Sequence, residues 1–168
     1  MNLQFYLEKL RASEEFVIFI RENPDAFACS GFFCLDKEGK DNKIHFDYFV
    51  PSTKEIFSFQ LEESGKKMPL ENIGEKIPEK ISLEADVDFD FVEKMILAEM
   101  ELKGIKNKIQ KLIFSLQKIE GNDFLVGTIF ISGLGIIKVN FDIAEKKITD
   151  FQKKSFFDMM SVLGKGKV

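Results

Sequence analysis

The single histidine of this 168-residue chain, His45, is the side chain best suited to acid–base chemistry near neutral pH. It stands two positions before Asp47 in a strand-like alternation, so both side chains should face the same way, within reach of a pairing hydrogen bond. A nucleophile for it would come from one apolar segment, which holds Cys29, Ser30 and Cys34. No GxSxG turn surrounds Ser30, and an apolar strand disfavours a thiolate. The pattern favours His45 and Asp47 as polar, solvent-facing candidates for ligand binding over a hydrolytic site.

Cofactor and metal motifs fail on inspection of their spacing. The acidic segment EADVDFD begins like a calcium loop at Asp86, but Phe91 stands where the loop requires glycine and Leu97 where it requires glutamate. One histidine and two cysteines cannot supply four zinc ligands. The glycines at 133–135 and in the terminal GKGK lack the strand–turn–helix context of a phosphate-binding loop. We therefore predict an acidic helix entrance, with no catalytic residues, no metal and no cofactor.

The composition is dominated by phenylalanine, with 19 Phe against 2 Tyr and no Trp. Phenylalanine brings a large, rigid area to bury and favours strands. A chain of this length buries roughly 70% of the surface that its unfolded form exposes, so it folds without disulfides or a metal. The composition predicts one domain with a thick aromatic core, part of which could line a pocket.

The charge pattern argues against a nucleic-acid partner. The net charge is −4, from 24 basic and 28 acidic residues mixed along the chain, and no basic stripe is visible. The first residues carry acids early and lack the features of a signal peptide, and no apolar run approaches the ~18–20 residues of a membrane span. With free cysteines expected in a reducing compartment, we predict a cytoplasmic protein.

The first half of the chain reads as a helix followed by strands. Residues 2–22 have helical apolar spacing, with a kink expected at Ser13 and an end before Pro24. Strands are predicted over 26–35, 44–50 and 57–61 from apolar runs and period-two alternation. The segment 64–82 holds two prolines and two glycines without a sustained period, so it reads as an irregular linker between two halves.

The second half repeats this order. A helix is predicted from about Asp90 to Lys103, with Gly104 as its C-terminal cap. Its buried stripe is predicted to be Phe91, Met95, Ala98 and Leu102. Strands should follow near 109–117, 124–132, 136–143 and 147–152, and the tail 155–163 reads as a short apolar helix stopped by Gly164.

Helix followed by meander thus occurs twice, in half-repeats 1–63 and 83–155 joined by the linker 64–82. Sliding 48–63 onto 140–155 matches five of sixteen positions. The matches are Phe49 with Phe141, Lys54 with Lys146, Ile56 with Ile148, Phe59 with Phe151, and Gln60 with Gln152. The apolar phase before the turn differs by one residue between the halves, so a duplication requires a bulge in one of them. A duplication and a chance match both remain open.

The hairpin at 139–151, VNFD followed by KKITDF, resembles the closing hairpin of PepSY-type repeats. More loosely, the element order is similar to the cystatin-like arrangement of a helix packed on a curved antiparallel sheet. The similarity covers about a dozen residues of the hairpin and about 60 residues per half in element order alone. Those families mostly inhibit or bind rather than catalyse, so the resemblance implies a binding role and carries no catalytic residue onto this chain.

We therefore expect a single α+β domain over 1–168, with about seven antiparallel strands in one curved sheet or two apposed sheets, two main helices and a short C-terminal helix. The leading functional expectation is a non-enzymatic domain that binds a protein or peptide, as a monomer or a homodimer. The expected partner-binding residues are Phe156, Phe157, Met160 and Leu163. The alternative is a carrier or enzyme that holds an apolar small molecule in a Phe-lined cavity between helices and sheet.

Overall fold

One antiparallel sheet with helices on one face organises the part of the chain that the computed structural model describes, residues 1–72, 76–155, 157, 158, 160 and 164. Its helices are α1 (Leu3–Ala12), α2 (Glu14–Glu22) and α3 (Phe89–Leu102), and a 3-10 turn covers Leu61–Glu63. Its strands are β1 (Phe27–Asp36), β2 (Lys43–Val50), β3 (Glu55–Gln60), β4 (Lys66–Leu70), β5 (Ile109–Ile119), β6 (Asn122–Ile131), β7 (Gly135–Asp142) and β8 (Lys147–Ser155). The strand order is β4-β3-β2-β1-β5-β6-β7-β8, and every neighbouring pair is antiparallel.

The phenylalanine surplus forms the layer between the helices and the sheet. The rings of Phe16 and Phe19 in α2 meet Phe59 edge to face, with centroids 5.1 and 5.0 Å apart. On the other side, the ring of Phe89 in α3 lies 4.7 Å from that of Phe33. Edge contacts of this kind suit the positive edge and negative face of aromatic rings. The aromatic side chains therefore pack against one another and form the core.

The predicted helix ends are close to those observed. The helix expected over 2–22 is broken at Ser13, whose extended backbone separates α1 from α2. Asp88 caps α3, where its side chain accepts a hydrogen bond from the Asp90 N–H at 2.9 Å. Gly104 has a φ of +69°, in the left-handed region that favours glycine after a helix. The acidic helix entrance is confirmed as a cap.

The predicted buried stripe of α3 is wrong. The helix buries Phe89, Val92, Ile96 and Met100. Leu102, which we expected to be buried, is 83% exposed. Both sets of residues recur at helical spacing, so periodicity fits either face. The docking of Phe89 on Phe33 selects the face that is buried.

Strand β4 lies in the segment predicted to be an irregular linker, so the sheet has one strand more than the expected seven. All five β4 residues are exposed, and β4 is an edge strand of the sheet. Pro69 fits this position, since a proline is tolerated where the backbone needs no ladder partner on one side. The coarse prediction, an α+β fold with helices on an antiparallel sheet, is confirmed.

The sheet is two four-stranded meanders, β1–β4 and β5–β8, joined through β1 and β5. Each meander follows a helix, as the predicted half-repeats require. The sequence match between 48–63 and 140–155, however, aligns the hairpin β2–β3 with the hairpin β7–β8. Strands β2 and β3 are the second and third of the first meander, whereas β7 and β8 are the third and fourth of the second. The match gives no support to a duplication, which stays a prediction from element order alone.

Candidate functional site

The two central strands separate at one end of the sheet. Strands β1 and β5 pair from Gly31 with Leu116 to Asp36 with Lys111. Beyond Gly31, the ladder between β1 and β2 shifts register at Ala28–Ser30, the mark of a β-bulge. A bulge bends its strand and increases the local twist. In the described ladders, residues 27–30 therefore pair with β2 alone and residues 117–119 with β6 alone, and a cleft opens between β1 and β5.

Residues 78–84, here called the crossing segment, run through this cleft from one face of the sheet to the other. The Ile81 N–H donates to the Ala28 carbonyl at 3.0 Å, and Ile81 is only 1% exposed. The Ser82 N–H donates to the Asp123 carboxylate at 3.2 Å. On the helix side, the Gln4 side chain donates to the Leu83 carbonyl at 2.9 Å. The segment thus divides the cleft into two mouths.

The open-face mouth lies on the side of the sheet opposite the helices and has a volume of about 360 Å³. Its wall from the sheet is formed mostly by small and polar side chains: Cys29, Ser30, Asp47, Ser115 and Gln117. The crossing segment contributes its first two residues, and β4 contributes its end. The strands therefore supply a polar floor, and the linker between the halves supplies the rim.

A hydrogen-bonded network of four side chains crosses β1, β2 and β3 beside this mouth. The Ser30 hydroxyl donates to Asp47 Oδ2 at 2.5 Å, and His45 Nδ1 lies 3.1 Å from Asp47 Oδ1. Ser58 Oγ lies 3.2 Å from the same ring nitrogen. The Phe32 ring stacks on the His45 ring, with centroids 4.8 Å apart. The pairing of His45 with Asp47 that alternation predicted is present; their role in ligand binding stays a prediction.

The network keeps Asp47 ionised. Burial by itself raises the pKa of the Asp47 carboxyl, but the hydrogen bonds from His45 and Ser30 outweigh burial, and the pKa lies below its ordinary value of 3.8. The neighbouring thiol is shifted the other way, because burial and then the Asp47 charge raise the pKa of Cys29 from 9.0 to about 12. Cys29 is therefore a protonated thiol, and it donates to the Asp47 carbonyl at 3.4 Å.

This geometry is not a serine–histidine–aspartate relay. Such a relay places the carboxylate and the nucleophile on opposite nitrogens of the imidazole. Here Asp47 and Ser58 both face Nδ1 of His45, and Ser58 is 2% exposed. Ser30, the hydroxyl singled out from the sequence, bonds to the carboxylate instead. The arrangement ties three strands together and leaves a charged carboxylate at the mouth.

The helix-side mouth is larger, at about 480 Å³. Its charged residues are Arg11, Lys80, Lys118 and Glu84, and Lys118 lies 3.6 Å from Asp123. Tyr48 reaches this mouth from β2 and is 7% exposed. Burial raises the pKa of Tyr48 from 10.0 to about 12, although the positive charge of Arg11 opposes the rise.

The four predicted partner-binding residues belong to the C-terminal tail of the sequence. Phe156 and Leu163 fall outside the described residues. Phe157 and Met160 have helical backbone and are 71% and 56% exposed, and Gly164, the predicted stop of this helix, is helical itself. Their role in binding stays a prediction.

Sequence reasoning missed Ser58 and the crossing segment. The alternation in FSFQ, which carries Ser58 on the face opposite the two phenylalanines, was the available signal for Ser58. No sequence pattern predicted the position of residues 78–84, because it depends on the separation of two strands that are distant in the chain. Among the described residues, no group of three or more His, Cys, Asp or Glu side chains is arranged to hold a metal ion.

Comparisons with known proteins identify a fold and no family. No family model matches the chain, and no curated protein matches its sequence. A crystal structure of a "putative lipoprotein" from Clostridium difficile 630 is similar to it, with a TM-score of 0.58 over 86% of this chain and 94% of that one. The identity is 12%, so the likeness concerns the fold alone. In the part of the chain that the structure describes, no helix has the length and apolar character needed to cross a membrane.

Proposed function

We propose that this chain is a non-enzymatic binding domain for a protein or peptide, and that the partner binds as an extended segment at the open-face mouth. The observation that carries the proposal is the crossing segment. The cleft between β1 and β5 already holds one stretch of chain, hydrogen-bonded to Ala28 and buried at Ile81. Addition of an extended segment to unpaired strand edges is a recurrent mode of peptide recognition.

The charges at this mouth select the kind of peptide. Its lining carries three carboxylates, Asp47, Glu71 and Glu79, against the one ammonium group of Lys118. Lys118 is already 3.6 Å from Asp123, so its charge is partly balanced elsewhere. A peptide with a lysine or arginine side chain at this point complements the mouth, because its cation would meet an ionised carboxylate held in place.

Aromatic packing supports this proposal over the alternative of an apolar carrier. A carrier of that kind needs a Phe-walled cavity between helices and sheet. In this core the rings of Phe16, Phe19, Tyr48 and Phe59 contact one another at 5.0–6.2 Å. The two mouths of the cleft, by contrast, are lined by charged and polar residues as well as apolar ones.

The test is selection of a displayed library of random linear peptides on the whole chain, followed by affinity measurements with the peptides recovered. Gln117→Trp fills the open-face mouth and should weaken binding at least about 10-fold, since a bulky ring removes the space the peptide needs. Gln152→Trp is the matched control, because Gln152 lies in β8 and is exposed on the same face of the sheet as Gln117. The proposal fails if no lysine- or arginine-bearing peptide is enriched, or if both variants bind the peptides equally.

We also propose that the chain works in the cytoplasm and forms a homodimer. Cys29 and Cys34 are both free thiols, which suits a reducing compartment. Fractionation of the source cells would test the first point, and a membrane-bound pool would contradict it. Light scattering on the purified chain would test the second, and a monomer mass at high concentration would contradict it.

A further inference from the structure

Tyr48 brings a hydroxyl group to the helix-side mouth of the cleft. Tyr48 is 7% exposed, and its ring packs among Phe16, Phe19 and Phe59. Within the described part of the chain, no hydrogen bond reaches its hydroxyl, and the residue lines the helix-side mouth of the cleft. The O–H group of Tyr48 is therefore available to donate a hydrogen bond to a ligand in the mouth.

Positive charge surrounds this donor. Arg11 and Lys80 line the mouth, and neither forms an ion pair with any described residue. Arg11 lines the same mouth as Tyr48, and its positive charge opposes the rise in the pKa of the Tyr48 hydroxyl. Lys118 also lines the mouth but is 3.6 Å from Asp123, so among the described residues two unpaired cations face the carboxylate of Glu84, in a chain whose net charge is −4. Local charge of this sign in an acidic protein attracts an anion.

Apart from Ser82, the uncharged residues that line the mouth are apolar or aromatic. Phe27 and Ala28 of β1 form one side, and Ile81 and Leu83 of the crossing segment form the other. A ligand that fills this space must therefore combine an anionic group with an apolar body. The carboxylate of Glu84, which lines the same mouth, disfavours a second negative charge on the ligand.

We propose that the helix-side mouth is a binding site for a small amphipathic monoanion, a carboxylate whose oxygens take hydrogen bonds from Arg11 and the Tyr48 hydroxyl and whose apolar body lies against Leu83. The guanidinium fork matches a carboxylate in geometry as well as charge. Lys80 adds attraction at the rim. The site uses the other mouth of the cleft, so it holds or fails independently of the peptide proposal.

Octanoate is the probe, and octyltrimethylammonium is the matched cation with the same apolar chain. Titration into the isotope-labelled full chain is followed by the amide shifts of Ile81, Ser82 and Leu83. We expect octanoate to shift these amides with a dissociation constant on the order of 1 mM or below, as for a ligand of about ten atoms. Octyltrimethylammonium should leave them in place, because the mouth repels a cation.

Variants test the two donors. Arg11→Gln should weaken octanoate binding about 10-fold, since a charge-assisted hydrogen bond is lost. Arg21→Gln, which removes the same charge from α2 outside the mouth, should leave the affinity unchanged. Tyr48→Phe should weaken binding about 5-fold while the fold is retained, because the hydroxyl it removes has no protein partner. Equal affinities of the Arg11→Gln and Arg21→Gln variants, or equal shifts from the two probes, would overturn the proposal.

Discussion

Replacing Asp47 with asparagine measures what the polar network contributes to stability. The carboxylate accepts from Ser30 at 2.5 Å and pairs with His45 at 3.1 Å, and its side chain is only 14% exposed. A hydrogen bond to a charged group is worth about 1.5–3 kcal/mol. Asparagine keeps one acceptor oxygen and turns a donor toward the other partner, so one of the two contacts is lost. We therefore expect the free energy of unfolding at pH 7 to fall by about 2 kcal/mol.

Urea denaturation followed by far-ultraviolet circular dichroism is the suitable assay, since the chain has no tryptophan. Asp150→Asn is the matched control, because Asp150 is exposed on the same face of the sheet and its change should stay within about 0.5 kcal/mol. If the Asp47→Asn variant also stays within that range, the network contributes nothing measurable and the reasoning from its geometry is refuted.

The same comparison has a pH dependence with a definite sign. The folded-state pKa of Asp47 is lowered from 3.8, so its ionised form stabilises the folded protein above the unfolded-state pKa. That contribution is lost as the pH falls through the folded-state pKa. The difference between wild type and the Asp47→Asn variant should therefore narrow below about pH 4. A gap that widens in acid would contradict the assigned direction.

Two further predictions concern α3 and the thiol. Met100→Ala should lower the free energy of unfolding by about 2–5 kcal/mol and Leu102→Ala by less than about 0.5 kcal/mol, because only Met100 is buried. Equal losses of the two variants in urea titrations would contradict the assigned orientation of α3. In a Cys34→Ala background, iodoacetamide at pH 8 should modify Cys29 about 1,000-fold more slowly than a thiol of pKa 9.0, since a pKa of about 12 leaves that much less thiolate. Alkylation at the rate of a free thiol, measured by mass spectrometry on the folded chain, would contradict the burial of this group.

Local chemistry made part of the site predictable. Alternation in β2 put His45 and Asp47 on one face, and their pairing needs nothing beyond the geometry of a single strand. The break at Ser13 and the caps of α3 at Asp88 and Gly104 are likewise determined by neighbours in the chain. Ser30, in contrast, reaches Asp47 from another strand, and the register of β1 on β2 decides that contact.

The sequence by itself determined the α+β composition, the ends of the helices and the outward pairing of His45 with Asp47. The tertiary structure alone decided which face of α3 is buried, because two apolar stripes of equal spacing compete and only docking on Phe33 separates them. It also decided that Lys66–Leu70 is a strand, since an exposed edge strand carries no apolar alternation. The cleft arises where a bulge in β1 parts it from β5, whose first residue, Ile109, follows the last residue of β1, Asp36, by 73 positions. Periodicity reports on neighbours within one element, whereas a cleft between two elements depends on how far their pairing extends.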